Sequence, residues 1–229
     1  FHLYDCCMEN DGAAAMIADH IDTSYRGRGM SYDDVARSIA AAVSGRRGNY
    51  MVYFPSYKYL QEVLPRFEAV AERNTLVMMQ VPRMNERQKE QFLDVFNVSN
   101  PETVVGFAVM GGIFGEGIDL VGERLVGAIV VGVGLPQIGL ERDLIKGYYD
   151  DHESAGFAYA YTYPGMNRVL QAAGRVIRSD VDRGLLLLID KRFSREDYRE
   201  LYLPSWGTPK QTRNVEEIGE AVDAFWGTA

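Results

Sequence analysis

Cysteine is scarce in this sequence: Cys6 and Cys7 are the only two, and they are neighbours. Adjacent cysteines do not readily close an unstrained disulfide with each other, so no disulfide framework is available and a reducing, cytosol-like compartment is expected. Long apolar runs are lacking as well. A clean run such as Leu185 to Ile189 falls far short of the roughly 18–20 residues of a membrane span and has strand length instead. The opening Phe1-His2-Leu3-Tyr4-Asp5 has no basic n-region and no apolar h-region, so it does not read as a signal peptide. With Phe rather than Met at position 1, the sequence is expected to be a fragment of a longer protein. Histidine is confined to His2, His20 and His152, which with Cys6 and Cys7 lack the separated pairs that zinc sites use; no metal site is expected. No G-x-S-x-G elbow occurs, and neither does a G-x-x-x-x-G-K-[ST] phosphate loop.

An excess of positive charge is missing too. The 24 basic residues are outnumbered by 32 acidic ones, for a net charge of −8, which argues against a general nucleic-acid coat. The balance is uneven, however. Between Pro164 and Arg195, Arg168, Arg175, Arg178, Arg183, Lys191, Arg192 and Arg195 face only Asp180, Asp182 and Asp190, giving +4 and leaving −12 for the remainder. A patch of that size suits a few phosphates better than a long duplex.

What is present is a core-forming pattern. The chain has 229 residues, 47% of them hydrophobic, which is too many for a disordered chain and enough to bury a sizeable core. Apolar strand-length runs recur at Tyr50–Phe54, Leu76–Met79, Val104–Val109, Ala128–Val131 and Leu185–Ile189. They are apolar continuously rather than alternately, which suits strands covered on both faces. Helical patterns lie between them, near Tyr32–Ser44, Ser56–Glu72, Asn85–Asn97, Leu140–Asp150 and Gly165–Arg178. Alternation of this kind predicts an α/β fold with a mostly parallel sheet sandwiched by helices. Residues 1–20 read as a connector from something upstream, 21–205 as the domain, and 206–229 as a helical extension closed by a helix over Val215–Trp226.

In such sheets ligands bind beyond the carboxyl ends of strands, so the loops after each run carry the information. After the first run, Pro55 stops the ladder and Ser56 can cap the next helix. After the third, Met110-Gly111-Gly112-Ile113-Phe114-Gly115-Glu116-Gly117-Ile118-Asp119 is rich enough in glycine to approach a ligand closely or to turn its N–H groups toward an anion. The tetrad Asp150-Asp151-His152-Glu153 superficially resembles a metal-binding cluster, but it follows a helical pattern and reads as a solvated helix end. The sharpest feature is Arg168 to Arg178. On a helix at about 100° per residue, Arg168, Gln171, Arg175 and Arg178 share an arc of about 80°, with Val169, Leu170, Ala173, Val176 and Ile177 opposite. A solvated face normally mixes Glu with its Arg, and this one has none, so the stripe reads as a phosphate site. With no phosphate loop in the chain, that loop is expected to lie elsewhere.

Taken together, these loops resemble a known family. Phe54-Pro55-Ser56-Tyr57 looks like helicase motif IV, Gly111–Asp119 resembles motif V, and Gln171-Ala172-Ala173-Gly174-Arg175-Val176-Ile177-Arg178 with Asp182-Arg183-Gly184 resembles motif VI. Their order is similar to that of the second RecA-like domain of superfamily 2 helicases of the XPD/DinG type, and the likeness extends over roughly residues 20–205. Thr23–Arg28, Gly132–Pro136 and Leu188–Arg192 also fit. One departure is Gly115, where the family usually has Ser before Glu-Gly, which removes a hydroxyl contact there.

The resemblance implies a P-loop NTPase-like fold without its own P-loop, serving as half of an ATP-dependent DNA helicase. Arg175 and Arg178 would act as arginine fingers, with Gln171 positioning the nucleotide or attacking water. Glu116, Gly117 and Asp119 would lie toward the nucleotide. Ser56, Tyr57, Gly112 and Arg192 would contact single-stranded DNA, Tyr57 as a stacking surface. ATP and Mg2+ would be held mainly by an upstream P-loop motor domain of the same polypeptide. An iron–sulfur cluster would belong to that parent and not to this chain. Repair of DNA in a cytoplasmic, nucleoid-associated setting, with no membrane partner, completes the expectation. The alternative is a non-catalytic RecA-like module that binds nucleic acid or protein without turnover. The intact Gln171/Arg175/Arg178 set favours the motor.

Overall fold

The computed structural model describes residues 13–114, 120, 122–176 and 183–227. Seven strands form one sheet: β1 (Ala13–Ala18), β2 (Asn49–Phe54), β3 (Thr75–Met79), β4 (Thr103–Val109), β5 (Gly127–Val131), β6 (Gly184–Ile189) and β7 (Lys210–Thr212). Their order across the sheet is β3-β4-β2-β5-β6-β1-β7, and all six pairings are parallel. The helices are α1 (Arg28–Ser44), α2 (Tyr57–Val70), α3 (Glu86–Asp94), α4 (Leu140–Glu153), α5 (Tyr163–Ala173), the single turn α6 (Glu196–Arg199) and α7 (Val215–Gly227). The five apolar runs are all strands, and the expected α/β class with a parallel sheet stands.

Side chains of successive strand residues leave the sheet on opposite faces, so each face acquires its own core. On one, Met51, Tyr53, Ala108, Val130, Leu186 and Leu188 pack with residues of α3 and α5 and with Trp206. On the other, Tyr50, Val52, Phe54, Phe107, Leu185 and Leu187 meet α1, α2 and α7. The strands β2, β5 and β6 are buried along their whole length, which is why their sequences read as unbroken apolar runs. Local signals begin the helices. Ser56 accepts a hydrogen bond from Tyr59 N and caps α2, as its position after Pro55 predicts, while Asn85 and Gln88 form a reciprocal capping box at α3. The tetrad Asp150–Glu153 occupies the exposed last turn of α4. No helix among the described residues is long and apolar enough to cross a membrane.

The two ends of the chain correct the expectation. Ala13–Ala18, read as part of a connector, is an interior strand, paired with β6 on one side and β7 on the other. The segment after residue 205 is likewise no mere appendage. It supplies β7, and Ile218, Ala221, Val222 and Trp226 of α7 bury into the second core. Alanine has little strand preference and β7 is three residues long, so neither carried a legible pattern.

Gly106 shows how tightly the first core is filled. A Cβ there would come within 2.6 Å of Phe96 Cζ, 2.7 Å of Met51 Sδ and 2.9 Å of Phe92 Cζ. The ring tips belong to a stacked Phe92–Phe96 pair that is itself buried. Gly106→Ala is therefore expected to lower stability by about 1–3 kcal/mol, the usual cost of overpacking, read as a lower urea midpoint with an unchanged slope.

Candidate functional site

Five residues gather where β2, β3 and β4 end. Ser56 and Tyr57 open α2, so two backbone N–H groups without intrahelical partners point out of the helix beside the Ser56 hydroxyl. Gln80, buried just after β3, ties this turn to the glycine loop. Its Nε2 donates to the Tyr57 hydroxyl at 2.9 Å, and its Oε1 accepts from Val109 N at 2.8 Å. Partial burial raises the pKa of the Tyr57 phenol. Gly112 lies against the same amide: a Cβ there would stand 3.2 Å from Gln80 Nε2 and 3.1 Å from Val109 O. Ser56, Tyr57 and Gly112, expected on the DNA path, are thus brought together, with Gln80 as the brace. Gln80 was missed, although its place directly after the run Leu76–Met79 is the signal that could have found it.

Arg168 completes the cluster. Its guanidinium Nη1 donates to the Gly134 carbonyl at 3.2 Å, bridging α5 to the loop after β5. Gly111 sits on its side chain, since a Cβ there would meet Arg168 Nε at 3.1 Å. Gly111 and Gly134 both take left-handed backbone, with φ of 69° and 64°, a region that glycine enters without strain. Arg168 therefore braces the loops after β4 and β5.

Arg192, also expected on the DNA path, lies apart, after β6. That strand stands two positions from β2, about 10 Å across the sheet. Asp190 there is fully buried and collects hydrogen bonds from Thr23 N at 3.2 Å, from the Thr23 hydroxyl, and from Arg192 N at 2.7 Å. The Arg192 guanidinium adds a fork, Nε to Oδ1 at 2.7 Å and Nη2 to Oδ2 at 2.9 Å. Burial acts against the Arg192 charge, but the Asp190 hydrogen bonds and charge overcome it and raise its pKa. Beside this pair, Lys191 Nζ meets Asp22 Oδ2 at 2.7 Å; with Ser24, it holds the Asp22 carboxyl well below the usual carboxylate range. The loop after β1 is thereby fastened to the loop after β6.

The helix expected over Gly165–Arg178 is shorter than its sequence pattern predicts. α5 ends at Ala173, and the chain tightens into a turn in which Arg175 N donates to Ala172 O at 3.3 Å and Val176 N to Ala173 O at 3.0 Å. Gly174 favours the break, and Val176 is drawn inward to pack over Gly184, the first residue of β6. Arg168 lies midway along α5, Gln171 is exposed on its last turn, and Arg175 stands half-buried beyond it. Arg175 is near enough to Tyr53 for its charge to oppose the burial that pushes the Tyr53 hydroxyl up. Arg178, Glu116, Gly117 and Asp119 lie outside the described residues. Among the described residues, no three of His, Cys, Asp and Glu lie close enough to hold a metal ion.

The Asp190 cluster generates a stability test. Arg192→Ala leaves a fully buried carboxylate without its charge partner, and the expected loss is about 3–5 kcal/mol, read by urea unfolding. A change within about 0.5 kcal/mol, the range of an ordinary surface substitution, would show that Arg192 is not needed for that charge.

The matching family model is that of the helicase C-terminal domain, over residues 39–209. The helicase subunit XPD of the general transcription and DNA repair factor IIH from Schizosaccharomyces pombe is 27% identical over 166 residues, 68% of this chain and 21% of that protein. The regulator of telomere elongation helicase 1 of Bos taurus is 31% identical over 175 residues, 69% of this chain and 14% of its own length. A probable ATP-dependent helicase of Methanocaldococcus jannaschii is 26% identical over 195 residues, 78% of this chain and 28% of that protein. The chain thus spans less than a third of each relative. Among solved structures, an XPD helicase superposes with a TM-score of 0.68 at 18% identity, covering 88% of this chain and 35% of that one. The C-terminal domain of the DEAD-box protein Dbp5 gives 0.52 at 11% identity, over 94% of this chain and 98% of that one. A seven-stranded parallel sheet of RecA-like topology and a family model spanning residues 39–209, most of the length of the chain, identify it as a member of the helicase C-terminal domain family.

Proposed function

We propose that this chain is the second motor half of an ATP-dependent DNA helicase. In this reading it supplies arginines to a nucleotide held on an upstream P-loop domain and forms part of a single-stranded DNA track. The observation that carries the proposal is the division of α5. Arg168, midway along α5, braces the loops after β4 and β5, while Gln171 lies on the last turn of the helix and Arg175 just beyond it. One helix thus links a place suited to DNA with a place suited to phosphate.

On the DNA side, the α2 N-terminus, with the Ser56 hydroxyl, offers donors and a positive dipole end to a backbone phosphate. Tyr57 offers a ring whose orientation is set by Gln80, so a base can stack on it without ordering it afresh. Gly112 lets the loop after β4 lie close against Gln80, beside the Tyr57 turn. Arg192 contributes positive charge from its bonded position on Asp190 and does not swing out to reach the strand.

On the nucleotide side, Arg175 and Arg178 would meet the charge that develops on the γ-phosphate as it transfers, and Gln171 would orient the attacking water. Glu116, Gly117 and Asp119 belong to the same side. Mg2+ is assigned to the upstream domain, whose carboxylates and phosphate loop would hold it. Any iron–sulfur cluster is also assigned to the parent. Arg168, tied to Gly134 and packed on Gly111, is the rigid connection through which nucleotide-driven movement of α5 would reach the DNA loops.

Three outcomes test the proposal. The chain by itself is expected to release no phosphate from ATP at a helicase-like rate, with or without single-stranded DNA; robust DNA-stimulated turnover would contradict the half-motor reading. In fluorescence-anisotropy titrations at low salt, Tyr57→Ala is expected to weaken single-stranded DNA binding by about 1–3 kcal/mol, and equal affinity would remove Tyr57 from the track. In the full-length parent, Arg175→Ala and Arg178→Ala are each expected to lower kcat for ATP by roughly 10³-fold or more. If instead kcat falls only in proportion to a lowered Tm, the arginines serve stability and the finger assignment fails.

A further inference from the structure

The helix α4 is amphipathic the wrong way round. None of its residues is buried, although it carries Leu140, Leu144 and Tyr148 at four-residue spacing. These are 76%, 67% and 58% exposed, and Ile138 just before them is 85% exposed. At about 100° per residue the three fall within an arc of about 80°. The side that does pack on the domain lies opposite. Tyr149 stacks on Tyr159 with ring centroids 3.8 Å apart, and Asp150, bonded to Lys146, accepts from Gly156 N at 2.9 Å. The apolar stripe therefore points away from the protein, extended at its end by Tyr148 stacked on His152. Gly147 borders it, and a Cβ there would meet nothing within 4 Å, which leaves a shallow notch between the Leu144 and Tyr148 side chains.

The charges around this stripe are of one sign. Glu141 and Asp143 flank it and Asp151 lies in line with it, all exposed, whereas Arg142 and Lys146 are on the inward side, half-buried. A surface of this kind repels nucleic acid phosphates and anionic lipid headgroups. It also disfavours a second copy of the chain, because the acidic rims would face each other. We infer that the outward face of α4 is a docking surface for a basic, amphipathic segment of a partner protein. The apolar residues of that segment would cover Ile138, Leu140, Leu144 and Tyr148, and its Lys or Arg would meet Glu141, Asp143 and Asp151. Contacts between amphipathic helices use apolar anchors spaced three or four residues apart and take their orientation from the charged rim.

The probe is a synthetic, fluorescently labelled helical peptide of about 18 residues, with Leu on one face and Lys on the other, beside a matched peptide with Glu in place of Lys. Anisotropy titrations with the 229-residue chain at moderate salt are expected to show saturable binding of the Lys peptide and at least about tenfold weaker binding of the Glu peptide. The double variant Leu140→Ser, Leu144→Ser leaves every charge in place and is expected to weaken the Lys peptide at least about tenfold. Val98→Ser, an exposed apolar position outside α4, is expected to leave binding unchanged. Because the replaced leucines are exposed, thermal melting should match the parent chain. If the variant melts early, Leu144→Lys in place of the double variant separates docking from folding, since it too removes the stripe. Equal Lys-peptide binding by wild type and both variants would mean attraction to the net negative charge alone and would overturn the inference. So would the absence of Lys-peptide binding, or concentration-dependent self-association abolished by the leucine substitutions.

Discussion

A carboxylate with no solvent exposure sits at the carboxyl end of a central strand, and much of the molecule's working edge is organised around keeping it satisfied. Asp190 takes both donors of Thr23 and the main-chain and guanidinium donors of Arg192. Removing such a charge from water is costly unless paired and hydrogen-bonded groups surround it, so the loops that supply them cannot drift apart. The consequence extends inward. Thr23 follows β1 and Arg192 follows β6, which are paired from Ala13–Gly184 to Ala18–Ile189. The polar cluster and the strand ladder therefore fix the same two segments, one at the edge and one through the core.

Braces of a similar kind recur along this edge. Gln80 ties the turn before α2 to the end of β4, and Arg168 ties α5 to the loop after β5. Each is a long side chain reaching from one element to a backbone group or hydroxyl of another, and each lies beside a glycine that leaves it room. Rigid positioning of this sort is what a surface needs if it is to hold a strand of DNA in register while the sheet beneath stays still. The far end of α5 is built differently. There the helix stops at Ala173, the chain tightens into a turn over residues 174–176, and Val176 is anchored inward.

Much of this was legible in the sequence because burial on both faces leaves an unmistakable signature. The runs Tyr50–Phe54 and Leu185–Ile189 could hardly be anything but covered strands, and Ser56 after Pro55 announced its helix. The alanine-rich β1 and the three-residue β7 were not legible, since nothing in their side chains favours a strand; the pairing partners decide it. The extent of the helix over Gly165–Arg178 was misread for a related reason. Projection onto an ideal helix assumes that the helix continues, and Gly174 with the inward pull on Val176 ends it. Asp190 could be quoted from the sequence as part of a motif, but that it is buried and bound to Thr23, far away in the chain, is a tertiary fact.

The central claim is that arginines of this domain act on the transition state of a nucleotide bound elsewhere in the parent. The most direct test compares, in the full-length parent and its Arg175→Ala variant, the affinity for ADP with aluminium fluoride, which mimics the transferring phosphoryl group, against that for ADP alone. The variant is expected to lose at least about 100-fold in affinity for the mimic, while ADP binding changes by no more than about threefold. A parallel loss for both ligands, or no loss for either, would contradict the claim.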